Sequence, residues 1–211
     1  RLFRNPLLTA LASALMAVDG LALVHSRTAL LDNFLALFIL AATYFFLRRQ
    51  YWWTSLALGL ALGTKWSAVY FIAIFGMIAL YRAFTHHTGK ALIRPTLERV
   101  WQFALLPTLI YCTSWIGWFI SDRGWARDYS SNIISSFIHY HQQILGFHTS
   151  LTEKHTYEAN PWSWLIMGRP TSFFYESPKG CGVESCSQEI LALGTPLLWW
   201  SATAALCVVI G

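Results

Sequence analysis

The sequence predicts an all-α integral membrane protein, a bundle of several spanning helices with one large, partly helical polar loop. Hydrophobic residues make up 55% of the 211 residues and charged residues only 12%, about half the charged fraction of a typical soluble domain. Eleven tryptophans and nine tyrosines fit this class, because amphipathic rings settle where hydrocarbon meets the lipid headgroups. The net charge of +5 sits in short basic stretches between apolar runs, which indicates membrane orientation and not a nucleic-acid partner.

Two apolar runs open the chain, and a spanning helix needs about 20 mainly apolar residues. The first is 7–24, after Pro6 at a first-turn position, and the polar hinge 25–28 separates it from the second, 29–47. Basic residues flank the pair at Arg1, Arg4, Arg48 and Arg49. By the positive-inside rule, we expect those flanks in the cytoplasm and the hinge on the outer face.

The next apolar run, 51–81, is broken by the polar sequence GTKWS at 63–67. Its far flank, 82–99, carries four basic residues and one acid, so both flanks of the run are predicted to be cytoplasmic. We therefore expect two short or tilted helices, or a re-entrant hairpin, with Lys65 near the outward tip. Non-helical backbone at that depth must face protein or water, so the tip should line a cavity.

A further span is predicted at 100–120, with a kink at Pro107, and a last one at 191–210. Between them lies the polar region 121–190, which holds seven of the ten acidic residues and is expected on the non-cytoplasmic side. Within it, residues 132–145 have apolar side chains at helical spacing and predict a helix lying along the membrane surface. The whole chain, 1–211, is predicted to be part of one polytopic membrane domain.

Cys181 and Cys186 lie in the polar region in the sequence CGVESC, a spacing that does not fit a typical zinc or redox motif. A local disulfide on an oxidising face is the preferred interpretation, with two free thiols as the alternative. The chain begins at Arg1, with no methionine, and stops at Gly211 beside an apolar run. We therefore expect a piece of a longer protein.

Four ionisable residues lie in or beside the predicted spans: Asp19, Arg27, Asp32 and Lys65. Such groups at membrane depth usually face a bundle interior, a partner or a water-filled cavity. One interpretation is structural, with ion pairs such as Arg27 with Asp32 or Asp19 with Lys65. The other is an outward-facing cavity where Arg27 and Lys65 hold an anion, for which phosphate is the best fit.

The seven histidines do not predict a metal site. His139 and His141 are two residues apart and would point to different faces of a helix, and no HEXXH arrangement is present. His148 and His155 are expected to donate hydrogen bonds to substrate or backbone. No metal site and no cofactor is therefore predicted in this chain, and the metal requirement of any reaction stays open.

The sequence PWSWL at 161–165 places Trp162 and Trp164 on either side of Ser163, shortly before Arg169. An aromatic belt at the membrane surface explains these rings, and a platform for a sugar ring or a cation is the functional alternative. A conventional serine hydrolase is not supported, because the GXSXG elbow is missing.

Three stretches together resemble the protein O-mannosyltransferase family, integral-membrane glycosyltransferases of the GT-C class. They are AVDGLALVHSRTALLDNFLALF at 17–38, GLALGTKWSAVYF at 59–71 and HTYEANPWSWLIMGRPTSFFY at 155–175. The resemblance covers most of the chain, and the first and third stretches are its most specific parts. Eukaryotic members carry an inserted β-trefoil module in the external region, so its absence makes the chain similar to the bacterial, and above all the actinobacterial, members.

The resemblance implies transfer of mannose from a polyprenyl phosphate mannose donor to a serine or threonine hydroxyl of an exported polypeptide, with inversion at the sugar carbon. The catalytic base is expected in an Asp-Glu pair upstream of residue 1, so this segment alone should be inactive. Arg27, in the pattern SRxxLLD, and then Lys65 are expected to bind the donor phosphate, with Asp32 orienting Arg27 and Asp19 in support. The acceptor or sugar side is assigned to His155, Tyr157, Trp162, Trp164 and Arg169.

Two other functions remain open from the sequence. One is another GT-C transferase that uses a lipid phosphate carrying arabinose or glucose. The other is a transporter or scaffold segment, although transporters usually show paired broken helices in repeated halves and only one broken helix is predicted here. In each case the chain is expected in the cell membrane. In the transferase interpretation its expected partners are the lipid donor, the acceptor polypeptide and the protein-export machinery.

Overall fold

The computed structural model describes residues 5–153, 158–182 and 186–210. The predicted residues His155 and Tyr157 lie outside this described part. Most of the described residues are helical. The helices are α1 (Pro6–Ala17), α2 (Gly20–Arg27), α3 (Leu31–Leu47), α4 (Tyr51–Thr64), α5 (Ala68–His86), α6 (Ile93–Val100), α7 (Leu106–Ser114), α8 (Ile116–Ile120), α9 (Ile133–Ser150), α10 (Pro161–Trp164) and α11 (Pro196–Ile210). A 3₁₀ turn at Gly89–Leu92 precedes α6, and a π-helical turn at Trp101–Leu105 joins α6 to α7.

One of the helices in the described residues, α5 with 19 residues, is long and apolar enough to cross a membrane by itself. The pair formed by α1 and α2 passes the same criteria as one span bent by 54°, and α3 and α11 are shorter apolar helices. Leucine side chains along α3 are largely exposed in the chain by itself, among them Leu37 and Leu40. An apolar surface of this kind suits a hydrocarbon environment.

The chain divides into two compact units, Arg1–Leu30 with Glu153–Gly211, and Leu31–Thr152. The first unit contains α1, α2, α10, α11 and a two-stranded antiparallel sheet. Its strands are β1 (Thr171–Glu176) and β2 (Gln188–Ala192), paired from Thr171 opposite Ala192 to Glu176 opposite Gln188. The sequence prediction was wrong here, because it placed no strand in the polar region and began the last span at residue 191, whereas α11 begins at Pro196.

The first predicted span is bent and longer than expected. Asp19 caps the start of α2 by accepting a hydrogen bond from the backbone N–H of Ala22 (3.3 Å), which ends one helix and begins another. The predicted hinge 25–28 was wrong in position, since α2 continues to Arg27. The hydroxyls of Ser26 and Thr28 donate to backbone carbonyls within α2, so these polar residues are satisfied without leaving the helix.

The second unit packs α3, α4, α5, α6 and α7 around a small apolar core. The broken run predicted between Tyr51 and Tyr81 is present as α4 and α5, with the break at Lys65, although α5 extends to His86 and is not short. Pro107 lacks an N–H and would clash in a regular helix. The π-helical turn before it accommodates the proline.

Helices α4 and α7 make close contact at Gly59. A Cβ built on Gly59 would lie 2.7 Å from Cβ of Ile110, an atom fixed to the backbone of α7. Small residues at such positions let two helices approach closely. The absence of a side chain at Gly59 therefore sets the distance between α4 and α7.

Substituting alanine for Gly59 should lower the stability of the second unit by about 1–3 kcal/mol, because the two helices must separate to admit the methyl group. Thermal unfolding in detergent measures the effect. The matched control is Gly146→Ala in α9, where an added Cβ meets no atom within 4 Å, so that the better helix propensity of alanine should dominate. Equal unfolding temperatures for the two variants would contradict the packing argument.

Candidate functional site

Lys65 and Asp32 form an ion pair at one end of the second unit. Lys65 ends α4 with extended backbone, and its Nζ donates to Asp32 Oδ1 at 2.8 Å. Asp32 lies in the first turn of α3, where the helix dipole favours a negative charge. Both side chains are nearly half exposed, at 48% and 42%, so the pair is accessible and its net contribution to stability is small.

This pairing corrects the sequence-based alternatives. The sequence suggested Asp32 as the partner of Arg27 and Asp19 as the partner of Lys65, because each pair is of opposite charge. In the structure Asp32 binds Lys65, and Asp19 accepts hydrogen bonds from neutral groups of the first unit. The positive charge of Lys65 is therefore already compensated.

Beside Lys65, a hydrogen-bonded chain of three side chains joins the turn between α4 and α5 to α7 and α9. The Nε1 of Trp66 donates to the hydroxyl of Tyr111 at 3.0 Å, and that hydroxyl lies 2.7 Å from Nε2 of His141. Nδ1 of His141 is 2.8 Å from the carbonyl oxygen of Phe137. Because a carbonyl only accepts, Nδ1 carries the hydrogen and Nε2 of the neutral ring accepts from Tyr111.

Trp66 and Tyr111 also line an open pocket of about 390 Å³ between the end of α4 and α7. The stacked contact of Trp66 on His141, with centroids 5.7 Å apart, adds to the hydrogen bonds. The network thus fixes the residue that follows Lys65. Sequence reasoning missed it, since its members are far apart in the chain and only the break GTKWS marks Trp66.

Arg27 is the last residue of α2, in the first unit, and its side chain is exposed. A positive charge at that position interacts favourably with the carbonyl end of the helix. No ion pair within the described ranges includes Arg27. Its guanidinium can therefore offer its planar fork of N–H donors to an anion. That Arg27 and Lys65 share one cavity stays a prediction.

Asp19 has a structural role in the first unit, where it is 4% exposed. Its Oδ1 accepts from the backbone N–H of Thr195 at 2.9 Å and from Nε1 of Trp199 at 3.1 Å. The backbone N–H of Gly20 donates to the hydroxyl of Thr195 at 3.1 Å. Asp19 thus ties the bend between α1 and α2 to the start of α11.

The predicted tryptophan pair lies on α10, a single turn capped by Asn160, whose Oδ1 accepts from Trp162 N at 3.1 Å. The side chains of Trp162 and Trp164 are 83% and 59% exposed. The turn that follows is fixed to α11 by Trp200, whose Nε1 donates to the carbonyl oxygen of Ile166 at 3.1 Å. Two indoles are thus presented on an anchored turn.

An open pocket of about 650 Å³ adjoins this turn. Ser163 and Arg169 both line it, together with Glu158, whose carbonyl oxygen accepts from Arg169 Nη1 at 3.3 Å. Neighbouring hydroxyl, guanidinium and backbone groups are suited to hydrogen bonds with sugar or peptide hydroxyls. The structure therefore brings together Ser163 and Arg169, and it leaves the two tryptophan rings facing outward.

Cys181 and Cys186 are joined by a disulfide in the segment between β1 and β2. Strand β1 also contacts α2, where the ring of His25 makes an edge contact with the ring of Phe173. No group of three or more potential metal ligands occurs in the part of the chain that the structure describes.

The apolar helices, one of them long enough to cross a membrane by itself, indicate the class of integral membrane proteins. A family model described as dolichyl-phosphate-mannose-protein mannosyltransferase matches residues 1–119. A second model, the C-terminal four TMM region of protein-O-mannosyltransferase, matches residues 133–211. The chain belongs to the protein O-mannosyltransferase family and is a membrane protein.

Curated relatives agree with this assignment. A polyprenol-phosphate-mannose–protein mannosyltransferase from Corynebacterium glutamicum is 30% identical, with 95% of this chain and 49% of the relative aligned. Proteins of the same name from Mycolicibacterium smegmatis and Mycobacterium tuberculosis are 30% and 29% identical over 98% of this chain and 51% and 50% of their own lengths. The chain spans about half the length of these relatives. No solved structure matches it significantly.

Proposed function

We propose that this chain forms part of a polyprenyl-phosphate-mannose-dependent protein O-mannosyltransferase that acts on exported proteins. The observation that carries the proposal is the match to mannosyltransferases over nearly the whole chain. In the proposed reaction the bond between mannose C1 and the phosphate oxygen breaks, and its electron pair stays on the phosphate. A new bond joins C1 to the acceptor hydroxyl, whose proton passes to a general base.

The donor phosphate gains negative charge as the sugar leaves, so a cation beside it stabilises the transition state. Arg27 is the residue we propose for this contact, because it is exposed and none of the described ion pairs includes it. Lys65 would take part only by sharing or leaving Asp32. In this proposal the cations supply the charge stabilisation.

The first unit supplies the proposed acceptor side. The pocket beside Ser163 and Arg169 offers hydrogen-bond partners, and the exposed rings of Trp162 and Trp164 offer flat surfaces for a sugar or for the lipid boundary. We assign the region 121–190, including His155 and Tyr157, to the non-cytoplasmic side of a multi-span GT-C bundle. Exported polypeptides would reach it there.

A chimera tests this function. This chain replaces the aligned half of the Corynebacterium glutamicum relative, in a host strain that lacks its own enzyme, and a secreted acceptor rich in serine and threonine is examined by mass spectrometry. We expect mannose on the acceptor, whereas the relative with the same half deleted should transfer none. Separately, the purified chain should bind polyprenyl phosphate mannose.

A panel of polyprenyl phosphates carrying mannose, glucose or arabinose decides the sugar. A chimera that reaches the membrane at the normal level but transfers only glucose or arabinose would replace this proposal with another lipid-phosphate-sugar transferase. Transfer of no sugar at all, together with no donor binding by the chain, would leave the scaffold interpretation.

A further inference from the structure

The second unit has a cationic pocket at the end of α4 opposite to Lys65. It lies between the turn joining α3 to α4, the last turns of α5, and α6 with its π-helical turn, and its volume is about 650 Å³. Three arginines line it: Arg49, Arg82 and Arg99. Helix α4 has 14 residues, so roughly 20 Å separates this pocket from Lys65. It is distinct from the ion pair of Lys65 with Asp32.

Two of the arginines are held against the aromatic core. Nη1 of Arg82 donates to the hydroxyl of Tyr51 at 3.3 Å, and its guanidinium lies 5.0 Å from the ring centroid of Phe46. The guanidinium of Arg99 lies 4.4 Å from the ring centroid of Tyr51 and donates to Oε1 of Gln102. Each guanidinium carries five N–H donors, so these contacts orient the groups and leave donors for a ligand.

The pocket lacks matching negative charge. Its one carboxylate among the lining residues, Glu98, accepts from Nε of Arg94 at 3.0 Å, and Arg94 points to solvent with 90% of its side chain exposed. No ion pair recorded for the described residues includes Arg49, Arg82 or Arg99. Three guanidinium groups around a pocket with a single carboxylate, itself paired with Arg94, attract an anion, and the planar fork of arginine fits the oxygens of a phosphate.

The backbone at Arg49 forms the ending of α3. Arg49 follows α3 with φ of 59°, and the backbone N–H of the next residue, Gln50, bonds back to the carbonyl oxygen of Phe45 at 3.0 Å. This is the Schellman ending of a helix, where glycine is the usual residue because a side chain is strained there. Ala29, Ala126 and Met167 also have positive φ, so this backbone conformation allows a glycine variant at residue 49 and is not itself a sign of a ligand.

We propose that this pocket binds the phosphate of an anionic phospholipid headgroup. The chain is a membrane protein, and Trp52 and Trp53 at the pocket rim are 53% and 55% exposed, as expected for indoles at the level of lipid headgroups. Basic pockets between membrane helices are suited to such headgroups. The inference does not depend on mannose transfer, since its readout is lipid binding.

The test measures lipid binding to the purified, delipidated chain by native mass spectrometry, with phosphatidylglycerol or phosphatidylcholine added to the detergent. We expect phosphatidylglycerol to bind about tenfold more tightly, because charge-assisted hydrogen bonds to its phosphate find no repelling choline group. Arg49→Gln should weaken its binding roughly tenfold. The matched control is Arg48→Gln, which removes the same charge from a neighbouring residue outside the pocket lining.

Arg49→Gly separates binding from folding. Glycine relieves the strain at φ of 59°, so this variant should unfold at the same or a higher temperature without lipid, yet lose phosphatidylglycerol binding as Arg49→Gln does. Equal binding of the two lipids, or equal loss in Arg48→Gln and Arg49→Gln, would overturn the proposal. Competition by millimolar inorganic phosphate that removes the lipid completely would assign the pocket to free phosphate instead.

Discussion

Replacing Arg27 with alanine is expected to lower the rate of mannose transfer by the chimera about 100-fold, with no change in its level in the membrane. Two charge-assisted hydrogen bonds to the departing phosphate are together worth about 3 kcal/mol, and each 1.4 kcal/mol is a factor of ten in rate. The structure supports little loss of folding, because the Arg27 side chain is exposed at the end of α2. Initial rates with labelled donor measure the effect.

Arg27→Lys and Arg123→Ala complete this experiment. Lysine keeps the charge at residue 27 but loses the planar fork, so we expect a rate between those of the wild type and the alanine variant. Arg123 is also exposed, and its removal controls for a general loss of positive charge. Unchanged transfer by the Arg27→Ala chimera would remove Arg27 from the donor site and leave Lys65 as the residue to test for the phosphate contact.

Much of the helical layout could be predicted from the sequence. The break at 63–67 appears as Lys65 between α4 and α5, and the segment predicted as a helix at 132–145 is α9, with Asn132 as its N-cap. These features depend on local signals, namely polar residues within apolar runs and apolar residues at helical spacing. Whether α9 lies on the membrane surface stays a prediction.

The β-hairpin and the bend at Asp19 could not be predicted in the same way. Strand β2 is followed closely by the apolar helix α11, so the sequence composition did not separate the two elements. The pairing of β2 with β1 is a contact between two separate segments of the chain. In the hinge, Ser26 and Thr28 looked like helix breakers because their side chains are polar. Their hydroxyls instead donate hydrogen bonds to backbone carbonyls of α2. Composition alone does not reveal these local hydrogen bonds.

The sequence predicted which residues form the candidate site, but it did not predict which of them interact with each other. The sequence singled out Asp19, Arg27, Asp32 and Lys65 because ionisable groups are rare in apolar runs. The sequence could not distinguish the observed ion pair of Lys65 with Asp32 from the pairs Arg27 with Asp32 and Asp19 with Lys65. In a helical bundle, oppositely charged residues at any of these spacings could be brought together. The role of Asp19 depends on Thr195 and Trp199, which are more than 170 residues away in the chain.

The substitution Asp19→Ala is expected to destabilise the first unit by about 3 kcal/mol or more. The carboxylate accepts from three part-buried N–H groups, those of Ala22, Thr195 and Trp199, and the loss of each of these hydrogen bonds to a charged group costs about 1 kcal/mol or more. The adjacent Gly20 leaves no room for collapse, because a Cβ there would lie only 2.6 Å from the carbonyl oxygen of Leu193. Thermal unfolding followed by tryptophan fluorescence measures the loss.

The stability of the Asp19→Asn variant should lie between that of Asp19→Ala and that of the wild type, because the two carboxylate oxygens have different partners. Oδ1 faces Thr195 and Trp199, whereas Oδ2 faces the backbone of Ala22. Asparagine has one side-chain oxygen, so it can accept either the two hydrogen bonds from Thr195 and Trp199 or the one from Ala22. Its NH₂ group then takes the other position, where it faces an N–H donor and cannot accept from it. Asp122→Ala is the control, because Asp122 is exposed and should change stability by less than about 0.5 kcal/mol. If Asp19→Ala unfolds at the same temperature as that control, the link from the bend of α1 and α2 to α11 does not stabilise the first unit.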